Sequence, residues 1–129
     1  MSVLDTSAVL AYLFGETGAE AVEKQLPGAT IHTVNWAEVL SKLAEKGLSA
    51  QQATEQLTEI GVLPTLTVDP GTLEDAAEVA RLRPLTRALG LSLGDRYCLA
   101  LASRLGQSVV TADREWDKLA VGVPVVLIR

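Results

Sequence analysis

The chain has 129 residues, 48% of them hydrophobic, with 10 Gly and 5 Pro; this suits one packed core over residues 1–129 and excludes a fibrous or disordered chain. With 11 basic and 16 acidic residues the net charge is −5, which disfavours bulk electrostatic binding to nucleic acid unless basic residues cluster or metal ions intervene. One cysteine excludes an internal disulfide, the start Met-Ser-Val-Leu-Asp lacks the basic segment of a secretory signal, and no apolar run reaches the roughly 18 residues of a membrane span, so a cytoplasmic protein without membrane contact is expected.

Along the chain, short β-branched runs alternate with helical patterns, the mark of an α/β fold. A first strand, Ser2 to Leu4, leads into Asp5-Thr6-Ser7. A second is expected over Thr30 to Val34, and from Asn35 the apolar positions Trp36, Val39, Leu40, Leu43 and Ala44 share one helix face that ends at Gly47. Ala50, Ala53, Leu57 and Ile60 give a further stripe, closed by Gly61. After a third strand at Leu66 to Val68, the stripe Leu73, Ala76, Ala77 and Ala80 begins a helix that Pro84 kinks or breaks. Asp95 to Leu105 has almost no polar side, which predicts a helix buried against the sheet. Strands at Ser108 to Thr111 and Pro124 to Ile128 complete the set. Strands joined through helices pair in parallel by right-handed crossovers, so their carboxyl ends lie along one edge, where open α/β sheets bind ligands.

Four acids fall where strands end or helices begin: Asp5, Glu38, Asp95 and Asp113. Each has an ordinary explanation. Asn35 with Glu38 and Ser92 with Asp95 fit the capping box, and Asp5 and Asp113 fit simple N-caps. Gathered on one sheet edge, however, carboxylates raise one another's proton affinity and repel, and a hard divalent cation, Mg2+ or Mn2+, offsets that cost. The sequence carries no phosphate-binding glycine loop and only one His and one Cys, which excludes a Cys/His zinc site and argues against a Ser-His-Asp triad. His32, alternating within a strand pattern, reads as structural.

The residues Val3-Leu4-Asp5-Thr6-Ser7-Ala8, Trp36-Ala37-Glu38-Val39, Leu91-Ser92-Leu93-Gly94-Asp95-Arg96 and Val110-Thr111-Ala112-Asp113-Arg114-Glu115-Trp116 resemble, in this order and nearly end to end, the PIN-domain nucleases, and among them the VapC toxins of toxin–antitoxin pairs. The resemblance implies a three-layer α/β/α fold with a five-stranded parallel sheet in the order 3-2-1-4-5, and a divalent-metal-dependent endoribonuclease. By analogy Asp5, Asp95 and Asp113 are metal ligands and Glu38 orients the attacking water. Ser7 and Thr111 are auxiliary candidates, as is Asp117 if the segment after Asp113 is helical; Thr111 also reads as a plain strand residue and Asp117 as a solvated acid. Arg83, Arg87, Arg96 and Arg114, with Arg81 nearby, suggest a basic rim for RNA, since guanidinium forks match phosphate oxygens. VapC-like proteins usually form homodimers inhibited by a small VapB-like antitoxin, and both are expected here. A housekeeping PIN nuclease and a catalytically idle PIN-fold binding domain are the alternatives. A haloacid-dehalogenase-type phosphatase would need an acid at Ser7, and a receiver module would need an acidic pair and a lysine that are missing.

Overall fold

The computed structural model describes residues 1–129. Its centre is a parallel sheet of β1 (Ser2–Leu4), β2 (Thr30–His32), β3 (Thr67–Asp69), β4 (Ser108–Thr111) and β5 (Val125–Leu127). The spatial order is β3-β2-β1-β4-β5, as the resemblance implied. β1 is central, with Val3 opposite Thr30 on one side and Leu4 opposite Val110 on the other. Alternation along the strands sends Leu4, Ile31 and Val110 into one apolar layer and Val3 and Val109 into the other. The first layer is closed by α1 (Thr6–Leu13), α2 (Ala19–Gln25), α3 (Thr33–Glu45), α4 (Ala50–Glu59) and α5 (Val62–Thr65). The second is closed by α6 (Leu73–Thr86), α7 (Leu93–Leu105) and Trp116, which is 1% exposed in a 3₁₀ turn over Arg114–Lys118. No helix is long and apolar enough to cross a membrane.

α7 follows its sequence pattern: Ser92 caps it, and Cys98 through Ala102 are buried. α3 and α6 depart from theirs. The second strand stops at His32, because the His32 ring accepts the Val34 amide through Nδ1 at 3.1 Å and so starts α3 two residues before Asn35. Asn35 therefore lies inside the first turn and forms no capping box. β3 begins at Thr67, one residue later than expected, since the Leu66 amide closes α5 by bonding to Val62 O at 3.1 Å.

In α6 the expected face is reversed. Leu73, Ala76, Ala77 and Ala80 are exposed, and the buried side is Asp75, Val79, Leu82 and Thr86. An acid can occupy the inner face because it is paired there. Asp75, 2% exposed, accepts from Arg104 Nε at 2.8 Å, from the Thr72 amide at 3.1 Å and from His32 Nε2 at 3.2 Å. Burial pushes its pKa up, but the Arg104 and Thr72 bonds outweigh that and hold it below the ordinary carboxylate value. Since His32 Nδ1 accepts, Nε2 carries the proton and donates to Asp75, so His32 is structural. Pro84 does not end α6; it lies in the last turn, and the helix runs on to Thr86.

Candidate active site

Asp5 follows β1 directly and caps α1. Its Oδ1 accepts from the Ala8 amide at 2.8 Å and from Ser7 Oγ at 2.7 Å, and its Oδ2 accepts from Thr111 Oγ1 at 2.5 Å. Burial raises its pKa to about 6, against which these three bonds work, while the Asp95 charge adds to the rise. Thr111, at the end of β4, is fully buried and also accepts the Asp113 amide at 3.0 Å, so one hydroxyl joins the neighbourhoods of the first and fourth acids. Ser7 Oγ also accepts the Ala112 amide at 2.9 Å, which places both auxiliary hydroxyls between β1 and β4.

Glu38 projects from α3 toward the first turn of α7. Its Oε1 accepts from Thr6 Oγ1 at 2.6 Å and from Asn35 Nδ2 at 3.1 Å. Asp95 completes the expected capping box, accepting the Ser92 amide at 2.9 Å through Oδ2 while its own amide reaches Ser92 Oγ at 3.1 Å. Burial raises its pKa, the Ser92 bonds oppose that, and the Glu38 and Asp113 charges add to it, which puts these acids within electrostatic reach of one another. Asp113 is exposed and accepts the Glu115 amide at 3.0 Å through Oδ1. Asp117 is exposed, in the 3₁₀ turn that follows Asp113.

None of these four carboxylates is paired with a lysine, arginine or histidine, although the molecule's other buried acid, Asp75, is. Glu38, Asp95 and Asp113 each bond the protein through one oxygen and leave the other without a protein partner. No three acidic, His or Cys side chains converge into a ready-made cage. A donor set made only of carboxylate oxygens, uncompensated in charge, with a free oxygen on each of Glu38, Asp95 and Asp113 beside the buried Asp5, fits a hard divalent cation that retains part of its hydration shell. Cys98 is fully buried, burial and the nearby acids push its thiol well above the ordinary value, and a soft sulfur does not suit a hard cation.

Beside Ser7 runs a groove of about 540 Å³ between α1 and α3, lined by Phe14, Lys42, Lys46 and Arg129 and by Glu45 and Glu16, which pair with Lys42 at 3.5 Å and with Arg129 at 3.2 Å. Lys42 and Lys46 follow Glu38 at i+4 and i+8, a spacing that puts cations and acid on one helix face. The sequence reading missed them, although that spacing was visible. Of the expected arginines, Arg83, Arg87 and Arg114 are exposed and pair with no carboxylate, whereas Arg81 bonds Glu78. Arg96 corrects the expectation of a basic rim. It is 9% exposed and its Nη1 donates to Val79 O at 3.0 Å, because α7 turns this position inward against α6.

The model of the PIN domain matches residues 2–122. The chain belongs to the PIN-domain family. Solved structures share the fold of this PIN domain. A toxin–antitoxin complex from Klebsiella pneumoniae has a chain 22% identical with a TM-score of 0.73, covering 100% of this chain and 98% of that one. DNA-bound VapBC from Salmonella typhimurium matches at 19% identity and TM-score 0.72 over 100% of both chains. FitAcB from Neisseria gonorrhoeae matches at 20% identity and TM-score 0.69, covering 99% of this PIN domain and 98% of its own chain. No curated protein matches the chain.

Proposed function

We propose that this PIN domain is a divalent-metal-dependent endoribonuclease acting as the VapC-like toxin of a toxin–antitoxin pair. The observation that carries the reading is that Asp5 and Asp113 share the Thr111 hydroxyl, that the Glu38 carboxylate abuts Gly94 beside Asp95, and that none of the four acids has a basic partner. Asp5, Asp95 and Asp113 hold Mg2+ or Mn2+, directly or through water. When bound, the cation neutralises charge on the scissile phosphate and makes water a competent nucleophile at neutral pH. Glu38, with Oε2 free, orients the attacking water and accepts its proton. Ser7 and Thr111 keep the Asp5 carboxylate in place. Lys46, with Arg83, Arg87 and Arg114, none of them paired with a carboxylate, supplies phosphate contacts that the net charge of −5 does not.

An antitoxin has a place to dock. Next to the groove, Leu13, Phe14, Leu43, Leu48, Leu57 and Ile60 line an apolar cleft of about 150 Å³, and Phe14 and Ile60 are 38% and 60% exposed. An apolar antitoxin segment seated there would lie across the same approach that RNA uses. A homodimer is served by the exposed stripe Leu73, Ala76, Ala77 and Ala80 on α6.

The test is cleavage of structured RNA by the purified chain. Activity with Mg2+ or Mn2+, loss in EDTA, and products with 5′-phosphate and 3′-hydroxyl ends are expected, because water and not the ribose 2′-hydroxyl attacks. Undiminished cleavage in EDTA, or 2′,3′-cyclic phosphate ends, would falsify the mechanism.

A further inference from the structure

Asn35 is 1% exposed and stands one helical turn before Glu38. Its Nδ2 donates to Glu38 Oε1 at 3.1 Å and to the Gly94 carbonyl at 3.0 Å, with Thr6 Oγ1 at 3.4 Å. Its Oδ1 is buried with no hydrogen-bond partner. The carboxylate and the carbonyl only accept, so the amide must turn its NH2 toward them and leave its oxygen orphaned. An amide that is buried half-satisfied is destabilising where an apolar side chain would not be, so stability alone does not account for asparagine here. From the opposite side, Gly94 in the first turn of α7 abuts the same carboxylate: a Cβ there would lie 2.6 to 2.8 Å from the Glu38 carboxyl oxygens and carbon. Gly94 does not have positive φ, so its backbone does not require glycine, and what remains is the space it leaves for Glu38.

We propose that Asn35 and Gly94 are positioning residues that clamp the Glu38 carboxylate from two sides, an inference that rests on the reading of Glu38 as part of the catalytic apparatus. Asn35 holds both the Glu38 carboxylate and the Gly94 carbonyl, so the same side chain fixes α3 against α7 and sets Glu38 relative to Asp95. Gly94 admits the carboxylate to the N-terminal turn of α7, where the helix dipole favours negative charge.

The experiment compares Asn35→Ala and Gly94→Ala, each alone and combined with Glu38→Gln, in the full chain. Three quantities are read: kcat for RNA cleavage, Mn2+ affinity by calorimetry without RNA, and the thermal midpoint. Each single substitution should lower kcat by about tenfold, as loss of an orienting group does, and leave Mn2+ affinity near that of the wild type, because Asp5, Asp95 and Asp113 hold the ion and Glu38 does not. In the Glu38→Gln background neither should lower kcat much further, because the clamp reaches the reaction through the Glu38 carboxylate. Gly94→Ala should keep or raise the midpoint, since alanine is the better helix former and the carboxylate it displaces ends a flexible side chain. That keeps the clamp testable even if Asn35→Ala does not fold. Wild-type kcat in both single variants, a roughly tenfold loss of Mn2+ affinity in both, or kcat losses that add fully to that of Glu38→Gln, overturn the clamp. If Glu38→Gln itself matches wild type in kcat, the reading of Glu38 fails, and the clamp with it; a Glu38→Gln impaired in kcat beside unimpaired clamp variants sinks the clamp alone.

Discussion

The Thr111 hydroxyl donates to the Asp5 carboxylate at 2.5 Å across the adjoining ends of β1 and β4, and in turn accepts the Asp113 amide at 3.0 Å. A strand residue thereby becomes a support for two acids on different elements. Thr111→Val should cut turnover by about tenfold or more, the usual cost of losing a group that orients a ligand, while Thr111→Ser should keep most of it. Because this bond lowers the Asp5 pKa, its loss should move that pKa above about 6, and NMR titration of the Asp5 carboxyl in metal-free protein reads the shift.

Asp5 also gives the metal-free protein a distinctive pH dependence. Its folded pKa of about 6 exceeds the ordinary 3.8, so between these values the folded state binds more protons than the unfolded state, and stability falls as pH rises through that window. The full effect is about 3 kcal/mol at neutral pH. Asp5→Asn should abolish cleavage and remove this loss, and saturating Mg2+ should offset it in the wild type. Denaturant titrations from pH 4 to pH 7 measure all three; a flat wild-type profile without metal would count against an unpaired Asp5.

Asp75 should show the opposite sign. Its folded pKa is lowered, so its contribution is present above the ordinary carboxylate value and is lost as pH falls through the folded one. Arg104→Ala leaves the buried carboxylate without its main partner and should cost about 3–5 kcal/mol of stability. Mn2+ affinity of the folded protein should not change, since this network lies apart from the four unpaired acids.

Asp113→Asn should nearly abolish cleavage, and Asp117→Asn should leave it unchanged, because Asp113 is tied through its amide to Thr111, which holds Asp5, whereas Asp117 is an exposed acid four residues on. Equal losses in the two variants would mean that this turn rearranges when RNA binds.

Arg87 and Lys46 should separate from Arg96. Ala at either of the first two should weaken RNA binding and reduce the salt slope of affinity by about one unit each. Arg96→Ala removes a buried donor to Val79 and should lower stability by about 1–3 kcal/mol while leaving the salt slope alone. Affinity measured across a salt series, together with melting curves, distinguishes the two kinds of arginine.

The sequence by itself determined the alternation of strands and helices, the place of Asp5, Asp95 and Asp113 at element ends, the Ser92–Asp95 capping box and the buried run from Cys98 to Ala102. These are local properties: a cap needs only the next turn of chain, and a fully apolar helix face has only one place to go. Tertiary structure alone decided which side of α6 faces inward. Apolar periodicity chose Leu73, Ala76, Ala77 and Ala80, but Asp75 is on the inner side because Arg104, 29 residues later, neutralises it there. The same holds for Arg96, turned inward by α7 packing, and for His32, whose ring starts α3 early and makes Asn35 a holder of Glu38 instead of a cap. A pattern read along one chain assigns apolar residues to the interior; whether a charge can join them depends on a partner that only the folded chain brings within hydrogen-bonding distance.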